Sequence, residues 1–135
     1  MSIKKGEVYL ANLGDVKCAD IGKIRPVLIF QNNNLNRMIT DGIYSDVIII
    51  PLSSKMKIND FTLSIKKRDK LQKNSSLLCN AIKMVNSKRL MLDEGVLTVL
   101  TDQETIQVES ILKQLFDFKH WCIEQSSYPR KVYVF

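Results

Sequence analysis

The sequence predicts an α+β domain in which short antiparallel strands curl into a small barrel and one long helix follows near the C-terminus. Short apolar runs separated by turn-forming residues recur over residues 6–100, as they do in sheets built of short strands. A helix-start signal, "TDQE" at residues 101–104, then precedes apolar residues at helical spacing. The 135 residues are enough for one domain with its own core.

The strands are predicted from apolar runs, and the connections from turn-forming residues. The predicted strands are residues 6–13, 26–31, 47–52, 61–65 and 97–100, with 76–79 and 82–85 as one bent strand or two adjacent ones. Residues 32–46 are predicted to be a long polar connection, and residues 66–70 an exposed turn or strand edge. Asn86 is expected to cap a short helical turn that runs to Arg89.

The long helix is predicted to run from Asp102 to about Phe118. Thr101 and Glu104 fit a capping box, in which each side chain accepts a hydrogen bond from the other residue's backbone N–H. The tail, residues 119–135, carries no clear element, although "KVYVF" at its end alternates like a strand.

The composition narrows the class of protein. A net charge of +6 and a pI near 9.3 favour a polyanionic partner, either nucleic acid or an acidic protein segment, over a merely solvated basic face. No apolar run approaches the ~18 residues of a membrane span, so we expect a cytoplasmic protein without a membrane partner. Three dispersed cysteines and one histidine predict no metal site.

The most informative stretch is "DIGKIRPVLIFQNNN", residues 20–34. Arg25 stands immediately before Pro26, at the start of a predicted buried strand. Proline fixes the backbone beside the arginine, and a guanidinium can bind phosphate oxygens through two parallel hydrogen bonds. Arg25 is therefore a candidate phosphate ligand. From the residues alone, a surface arginine paired with Asp20 or Glu7 is an equally good interpretation.

Three segments in order, "GEVYLANL", "GKIRPVLIFQNN" and "VIIIPLSS", resemble the MazF/PemK family of toxin endoribonucleases. The later segment "LLCNAIKMVNSKRL" is similar to the family's strand and short helix at that place. The resemblance implies a toxin domain over residues 1–118, and it leaves residues 119–135 as an extension outside the family pattern.

The resemblance implies an SH3-like (CcdB/MazF-type) barrel, a homodimer, and cleavage of single-stranded RNA, often messenger RNA, at short sequences. Cleavage in the family uses the RNA's own 2′-hydroxyl and needs neither metal nor cofactor. The implied protein partner is a cognate antitoxin whose acidic, disordered tail occupies the RNA groove. Contact with DNA is then expected only indirectly, through the antitoxin.

The resemblance also assigns candidate catalytic residues. Arg25 occupies the family's catalytic arginine position, and Ser53 falls where the family usually has threonine, so that a hydroxyl is retained. Many relatives carry an acidic residue and glutamine where this chain has Asn80-Ala81. Because an amide cannot take a proton at neutral pH, Asp20, at the family's usual glutamate position, becomes the replacement candidate for the general base.

RNA binding is expected from loops and strand ends. The candidate phosphate-binding residues are Lys17, Lys23, Lys55 and Lys57, with Ser54 and Asn80 as further contacts. Asn32, Asn33 and Asn34 could bind base edges, although for Asn33 and Asn34 a role as turn formers after the strand is an equally good interpretation. Tyr44 and Phe61 are weaker candidates for base stacking, since an aromatic residue in a strand usually belongs to the core.

Two other functions stay open at this stage. The gyrase poison CcdB shares the predicted architecture and acts through its C-terminal residues, and the tail here ends in aromatic residues. The Arg25-Pro26 pair argues against that function, because a gyrase binder has no use for an arginine at that place. The third possibility is a relative that binds RNA without cutting it, which the Asn80-Ala81 pair supports.

Overall fold

The computed structural model describes residues 2–14 and 24–119. The predictions for Lys17, Asp20, Lys23 and the tail beyond Lys119 lie outside these residues. In the described part, seven strands and two α-helices follow one another. They are β1 (Glu7–Asn12), β2 (Ile24–Ile29), α1 (Asn33–Thr40), β3 (Asp46–Ser53), β4 (Thr62–Ile65), β5 (Ser75–Leu78), β6 (Lys83–Asn86), β7 (Thr98–Val99) and α2 (Asp102–Phe116).

The strands form one antiparallel sheet in the order β4-β5-β3-β2-β1-β7, and β6 also pairs with β3. The long strand β3 bends the sheet because its two halves have different partners on one edge. Its first half pairs with β6, as Ile49 does with Lys83, and its last residues pair with β5, as Leu52 does with Leu77. Its other edge pairs with β2 throughout residues 49–51. The predicted curled α+β sheet is confirmed.

The sheet is buried on both faces, because successive side chains of a strand point to opposite sides. One core cluster contains Leu28 and Ile50 and packs against Val108 and Leu112 of α2. A second cluster contains the alternate residues of the same strands, such as Ile29 and its neighbours Val27, Val47 and Ile49. The central strands thereby pack against apolar side chains on both sides.

Helix α2 begins where the sequence predicts. The Thr101 hydroxyl accepts from the Glu104 N–H at 3.1 Å, and the Glu104 carboxylate accepts from the Thr101 N–H at 3.0 Å. The helix ends at Phe116, because Asp117 adopts a left-handed conformation with φ of 55°. The capping box is confirmed, and the predicted end at Phe118 is two residues too late. No helix in the described ranges is long and apolar enough to cross a membrane.

The predicted polar connection over residues 32–46 is wrong in its first half, which forms α1. The Asn32 side chain caps this helix by accepting from the Leu35 N–H at 2.9 Å. Asn36 is buried and donates to the Gln31 carbonyl at 3.0 Å, and its own oxygen accepts from the Gln31 side chain at 3.1 Å. The helix also carries apolar residues at helical spacing, Leu35, Met38 and Ile39, but this short signal was outweighed by the surrounding asparagines, which favour turns.

The remaining predictions differ from the structure mainly in strand length. Residues 75–86 form two strands, β5 and β6, joined by the 3₁₀ turn Cys79–Ala81. The Asn86 side chain accepts from the Lys88 N–H at 2.9 Å, which confirms the predicted cap. Strand β7 has two residues instead of four, and β2 begins two residues before Pro26.

Candidate active site

Arg25 lies within β2, paired opposite Ala11 of β1, so its side chain leaves a hydrogen-bonded backbone. Its Nε atom is buried and has no hydrogen-bond partner among the described residues. Glu7, one of the two suggested partners, instead accepts from the Tyr9 hydroxyl at 2.8 Å. A buried guanidinium nitrogen without a partner is costly, and a ligand that accepts a hydrogen bond would remove that cost.

Arg25 and Ser53 lie at neighbouring ends of two paired strands and line the same groove. Val27 of β2 is the partner of Pro51 of β3. Continuing this antiparallel register by two residues places Arg25 opposite Ser53. The fold therefore brings together a guanidinium and a hydroxyl that are 28 positions apart in the sequence.

The two residues line an open groove of about 1290 Å³. Its described walls come from the ends of β2 and β3, the loop after β3, the turn around residues 69–73 and the 3₁₀ turn Cys79–Ala81. Of the residues predicted from sequence, the groove brings together Arg25, Ser53, Ser54, Lys55, Lys57 and Asn80. A wall of cations, hydroxyls and amides suits a polyanion whose bases also need hydrogen-bond partners.

Ser53 is nearly buried, with 9% of its surface exposed. Its oxygen accepts from the Lys55 N–H at 3.2 Å, which shapes the loop that follows β3. A hydroxyl that accepts one bond keeps its own proton free to donate. Ser53 can therefore hold the loop and donate to a ligand oxygen in the groove at the same time.

Asn80 is exposed at the middle of the 3₁₀ turn Cys79–Ala81. The turn is fixed at its start by the Cys79 N–H, which donates to the Phe61 carbonyl at 3.0 Å. Burial raises the pKa of the Cys79 thiol to about 11. The Cys79 thiol therefore stays protonated at neutral pH. The side chain of this turn that can bind a ligand is the Asn80 amide.

Asn32 and Asn33 are not among the residues that line the groove. Asn32 caps α1, and the Asn33 oxygen accepts from the Lys5 N–H at 2.8 Å and from the Asn36 side chain at 3.1 Å. The structure thus gives both asparagines a role in the fold, which was the alternative to base recognition. Tyr44 and Phe61 also lie outside the groove lining.

The sequence did not single out several residues that line the groove. The polar ones are Asn59, Thr62, Asp69, Lys70, Gln72, Lys73, Ser75 and Glu94. Most lie in or beside the lysine-rich stretch that was predicted only as an exposed turn or edge. The positive charge of this stretch was visible in the sequence, but which of its lysines point into the groove depends on how the turn packs. Among the residues that the structure describes, no cluster of three His, Cys, Asp or Glu side chains could hold a metal ion.

The curled sheet with its C-terminal helix is the fold of solved MazF toxins. An endoribonuclease in complex with its cognate antitoxin, from a Mycobacterial species, superimposes with a TM-score of 0.67 at 19% identity over 87% of this chain and 98% of that one. A MazE–MazF structure from Deinococcus radiodurans gives a TM-score of 0.65 at 16% identity over 88% of this chain and 99% of that one. The SH3-like, CcdB/MazF-type fold is confirmed.

The sequence shows the family directly. Residues 4–116 match the family model of the PemK-like, MazF-like toxins of type II toxin–antitoxin systems. The Endoribonuclease MazF of Staphylococcus epidermidis is 34% identical over 114 residues, which cover 82% of this chain and 88% of that protein. The chain belongs to the PemK-like, MazF-like toxin family, and these findings do not favour the gyrase-inhibitor alternative. The division at residue 118 stays a prediction.

Proposed function

We propose that this protein is the endoribonuclease toxin of a type II toxin–antitoxin system, and that it cuts single-stranded RNA, including messenger RNA, in the cytoplasm. The observation that carries the proposal is the buried Nε of Arg25, which has no hydrogen-bond partner among the described residues and lies in a groove that Ser53 and several lysines also line. Family membership and the similar Endoribonuclease MazF support the same activity.

The proposed reaction uses the RNA's own 2′-hydroxyl as the nucleophile. The O2′–P bond forms and the P–O5′ bond breaks, which leaves a 2′,3′-cyclic phosphate and a 5′-hydroxyl. The phosphate passes through a crowded species with two negative charges, and the always-charged Arg25 guanidinium stabilises it with two hydrogen bonds. Ser53 donates a third hydrogen bond to a phosphate oxygen, while Lys55 and Lys57 bind neighbouring phosphates.

Two protons must move: one leaves the 2′-hydroxyl and one reaches O5′. Asn80 can position either group by hydrogen bonding but cannot take the proton at neutral pH. We assign the base role to Asp20, on its position relative to the family pattern. Ser54 and Asn80 complete the RNA contacts on the described walls, and Lys17 and Lys23 add phosphate contacts from the segment outside them.

We further propose a homodimer that is neutralised by a cognate antitoxin. One solved structure with this fold is an endoribonuclease in complex with its cognate antitoxin. A groove lined by Arg25 and several lysines would bind an acidic, disordered antitoxin segment in place of RNA. DNA contact would come only through the antitoxin.

The test is incubation of the purified protein with a long RNA of mixed sequence in EDTA, with primer extension to map the cuts. Arg25→Ala should lower the cleavage rate by about 10²–10³-fold, as loss of a transition-state donor does. Arg37→Ala is the matched control, because Arg37 is exposed on α1 and does not line the groove. Intact RNA at high protein concentration would refute the activity and favour a relative that only binds RNA.

A further inference from the structure

A tight turn covers residues 68–71. Hydrogen bonds within the turn and to neighbouring residues hold it in one conformation. Within it, the Arg68 N–H donates to the Leu71 carbonyl at 3.1 Å, and the Leu71 N–H donates back at 2.8 Å. Asp69 takes a left-handed conformation with φ of 52°, which aspartate tolerates in tight turns. The turn is therefore a tight two-residue loop with Asp69 and Lys70 at its tip.

Hydrogen bonds fix this turn to β7 and to Leu97, the residue just before it. The Lys70 N–H donates to the Leu97 carbonyl at 2.9 Å. The Thr98 hydroxyl donates to the Asp69 carboxylate at 2.7 Å and accepts from Nε of Arg68 at 3.0 Å. The backbone of the turn and the side chains of Arg68 and Asp69 are thus fixed relative to the sheet.

Two lysines of this connection line the groove that contains Arg25: Lys70 lies in the turn, and Lys73 lies two residues after it. Neither lysine makes an ion pair with a described residue. The Lys70 ammonium lies 3.3 Å from the position that a Cβ on Gly95 would take, so the glycine leaves room for it. Of the two acidic side chains of the lining, Asp69 already accepts from Thr98, which leaves the cations in excess.

We propose that Lys70 and Lys73 form a second phosphate-binding wall that holds the RNA backbone outside the phosphate being cut. The proposal rests on the proposed function, since it places both lysines in the same groove. Their role is to position RNA and raise affinity; Arg25 and Ser53 act on the reacting phosphate.

RNA fits this wall better than an acidic protein segment does. The exposed amides of Gln72 and Asn80 line the same groove, and amides bind base edges as well as phosphates. A row of carboxylates offers only acceptors, whereas base edges offer both donors and acceptors and so can use both the N–H groups and the oxygen of each amide. The bond from the Lys70 N–H to the Leu97 carbonyl also fixes the backbone of Lys70 relative to the sheet.

The test compares two pairs of lysines from the same stretch. Lys66 and Lys67 are exposed like Lys70 and Lys73 but do not line the groove. The variants Lys70→Ala/Lys73→Ala and Lys66→Ala/Lys67→Ala therefore remove the same charge from neighbouring positions. The probe is a labelled single-stranded RNA with methylated 2′-hydroxyls, which binds but cannot be cut, so binding is measured by anisotropy whether or not the protein is a nuclease.

The salt dependence of binding gives the readout. Loss of two phosphate contacts should reduce the slope of log K against log salt by about 1.4 for Lys70→Ala/Lys73→Ala. Lys66→Ala/Lys67→Ala should keep the parent slope. With cuttable RNA, the first pair should raise KM by about tenfold and leave kcat nearly unchanged, as loss of uniform binding does.

Several outcomes would overturn the proposal. They are an equal slope change in both pairs, an unchanged slope in Lys70→Ala/Lys73→Ala, and no binding of the probe by the parent protein. A parallel titration with polyglutamate tests the alternative partner, an acidic protein segment. If Lys70→Ala/Lys73→Ala weakened polyglutamate binding but left the salt slope of RNA binding unchanged, the lysines would bind an acidic protein. Circular dichroism of each variant, and Lys70→Gln/Lys73→Gln as a longer side-chain replacement, exclude unfolding as the cause.

Discussion

Arg68 and Glu104 are joined by two parallel hydrogen bonds, each 2.7 Å long, between the guanidinium of the β4–β5 connection and the first turn of α2. Arg68 also donates to the Val99 carbonyl at 3.1 Å, and Glu104 accepts from the Thr101 N–H at 3.0 Å. One ion pair therefore connects the lysine-bearing turn, the last strand and the start of the long helix. The same ion pair therefore stabilises both the turn in the groove wall and the capping box of α2.

Glu104→Gln should lower the free energy of unfolding by about 1–2 kcal/mol, because the pair is half-buried, bidentate and charged. Glutamine can still complete the capping box, so the change isolates the lost charge. Urea unfolding measures the effect. The control is Glu109→Gln on the same helix, whose exposed pair with Lys5 spans 3.6 Å and should contribute little. Equal losses in the two variants would contradict the assignment.

The same pair predicts a pH dependence. The hydrogen bonds from Arg68 lower the pKa of the Glu104 carboxyl below its ordinary value. The folded state therefore favours the ionised form, and the stabilisation is complete above the unfolded pKa of about 4.3. It is lost as the pH falls through the lower, folded pKa. The stability difference between parent and Glu104→Gln should be full at pH 7 and shrink below about pH 4; a constant difference would refute the coupling.

Cys79 should be unreactive in the folded protein. Its side chain is fully buried, and burial raises the pKa of the thiol to about 11, so almost no thiolate exists at neutral pH. With Cys18 and Cys122 replaced by serine, a disulfide reagent at pH 8 should modify Cys79 at least about 10²-fold faster in urea than in buffer. Rapid modification of one thiol per native chain would show that this part of the core opens readily.

Local signals in the sequence predicted the elements whose stabilising contacts are themselves local. The capping box at Thr101 and the cap at Asn86 each join residues within three positions. The buried run that became β3 was also visible, because its residues are apolar and β-branched. Arg25 was identifiable beside Pro26, but only the folded sheet shows that its Nε has no partner among the described residues and that it lines the same groove as Ser53.

The sequence could not predict features that depend on distant contacts. Helix α1 is short and rich in asparagines, and its buried amide Asn36 pairs with Gln31 before the helix, so its three apolar residues at helical spacing did not identify it. The four lysines over residues 66–73 are alike in sequence, and only bonds to Leu97 and Thr98 decide which of them face the groove. Assigning them requires the turn and β7 in three dimensions.

Asn32 should contribute to stability, and Asn80 should contribute to RNA cleavage. Asn32→Ala removes the cap of α1 and should cost about 1 kcal/mol of unfolding free energy, with cleavage per folded molecule unchanged. Asn80→Ala removes an exposed amide from the groove and should leave stability within about 0.5 kcal/mol while cleavage falls. Thermal unfolding and initial rates measure the two effects. If Asn32→Ala folded fully but cleaved RNA more slowly, Asn32 would belong to the RNA interface after all.

Ser53 should contribute to catalysis through its hydroxyl, and two substitutions distinguish this role from support of the loop. Ser53→Ala loses both the donor to the phosphate and the acceptor for the Lys55 N–H, so kcat should fall by about 10–100-fold with some loss of stability.

Ser53→Thr keeps the hydroxyl and fits the family pattern, so kcat should stay within about threefold of the parent, since only a stiffer side-chain rotamer and one methyl group differ. Single-turnover cleavage of a short RNA separates the chemical step from binding. The matched control is Ser64→Ala, an exposed serine of β4 outside the groove, which should change neither rate nor stability. If Ser53→Ala and Ser53→Thr cut equally fast, the hydroxyl serves the loop alone and Arg25 stabilises the phosphate without it.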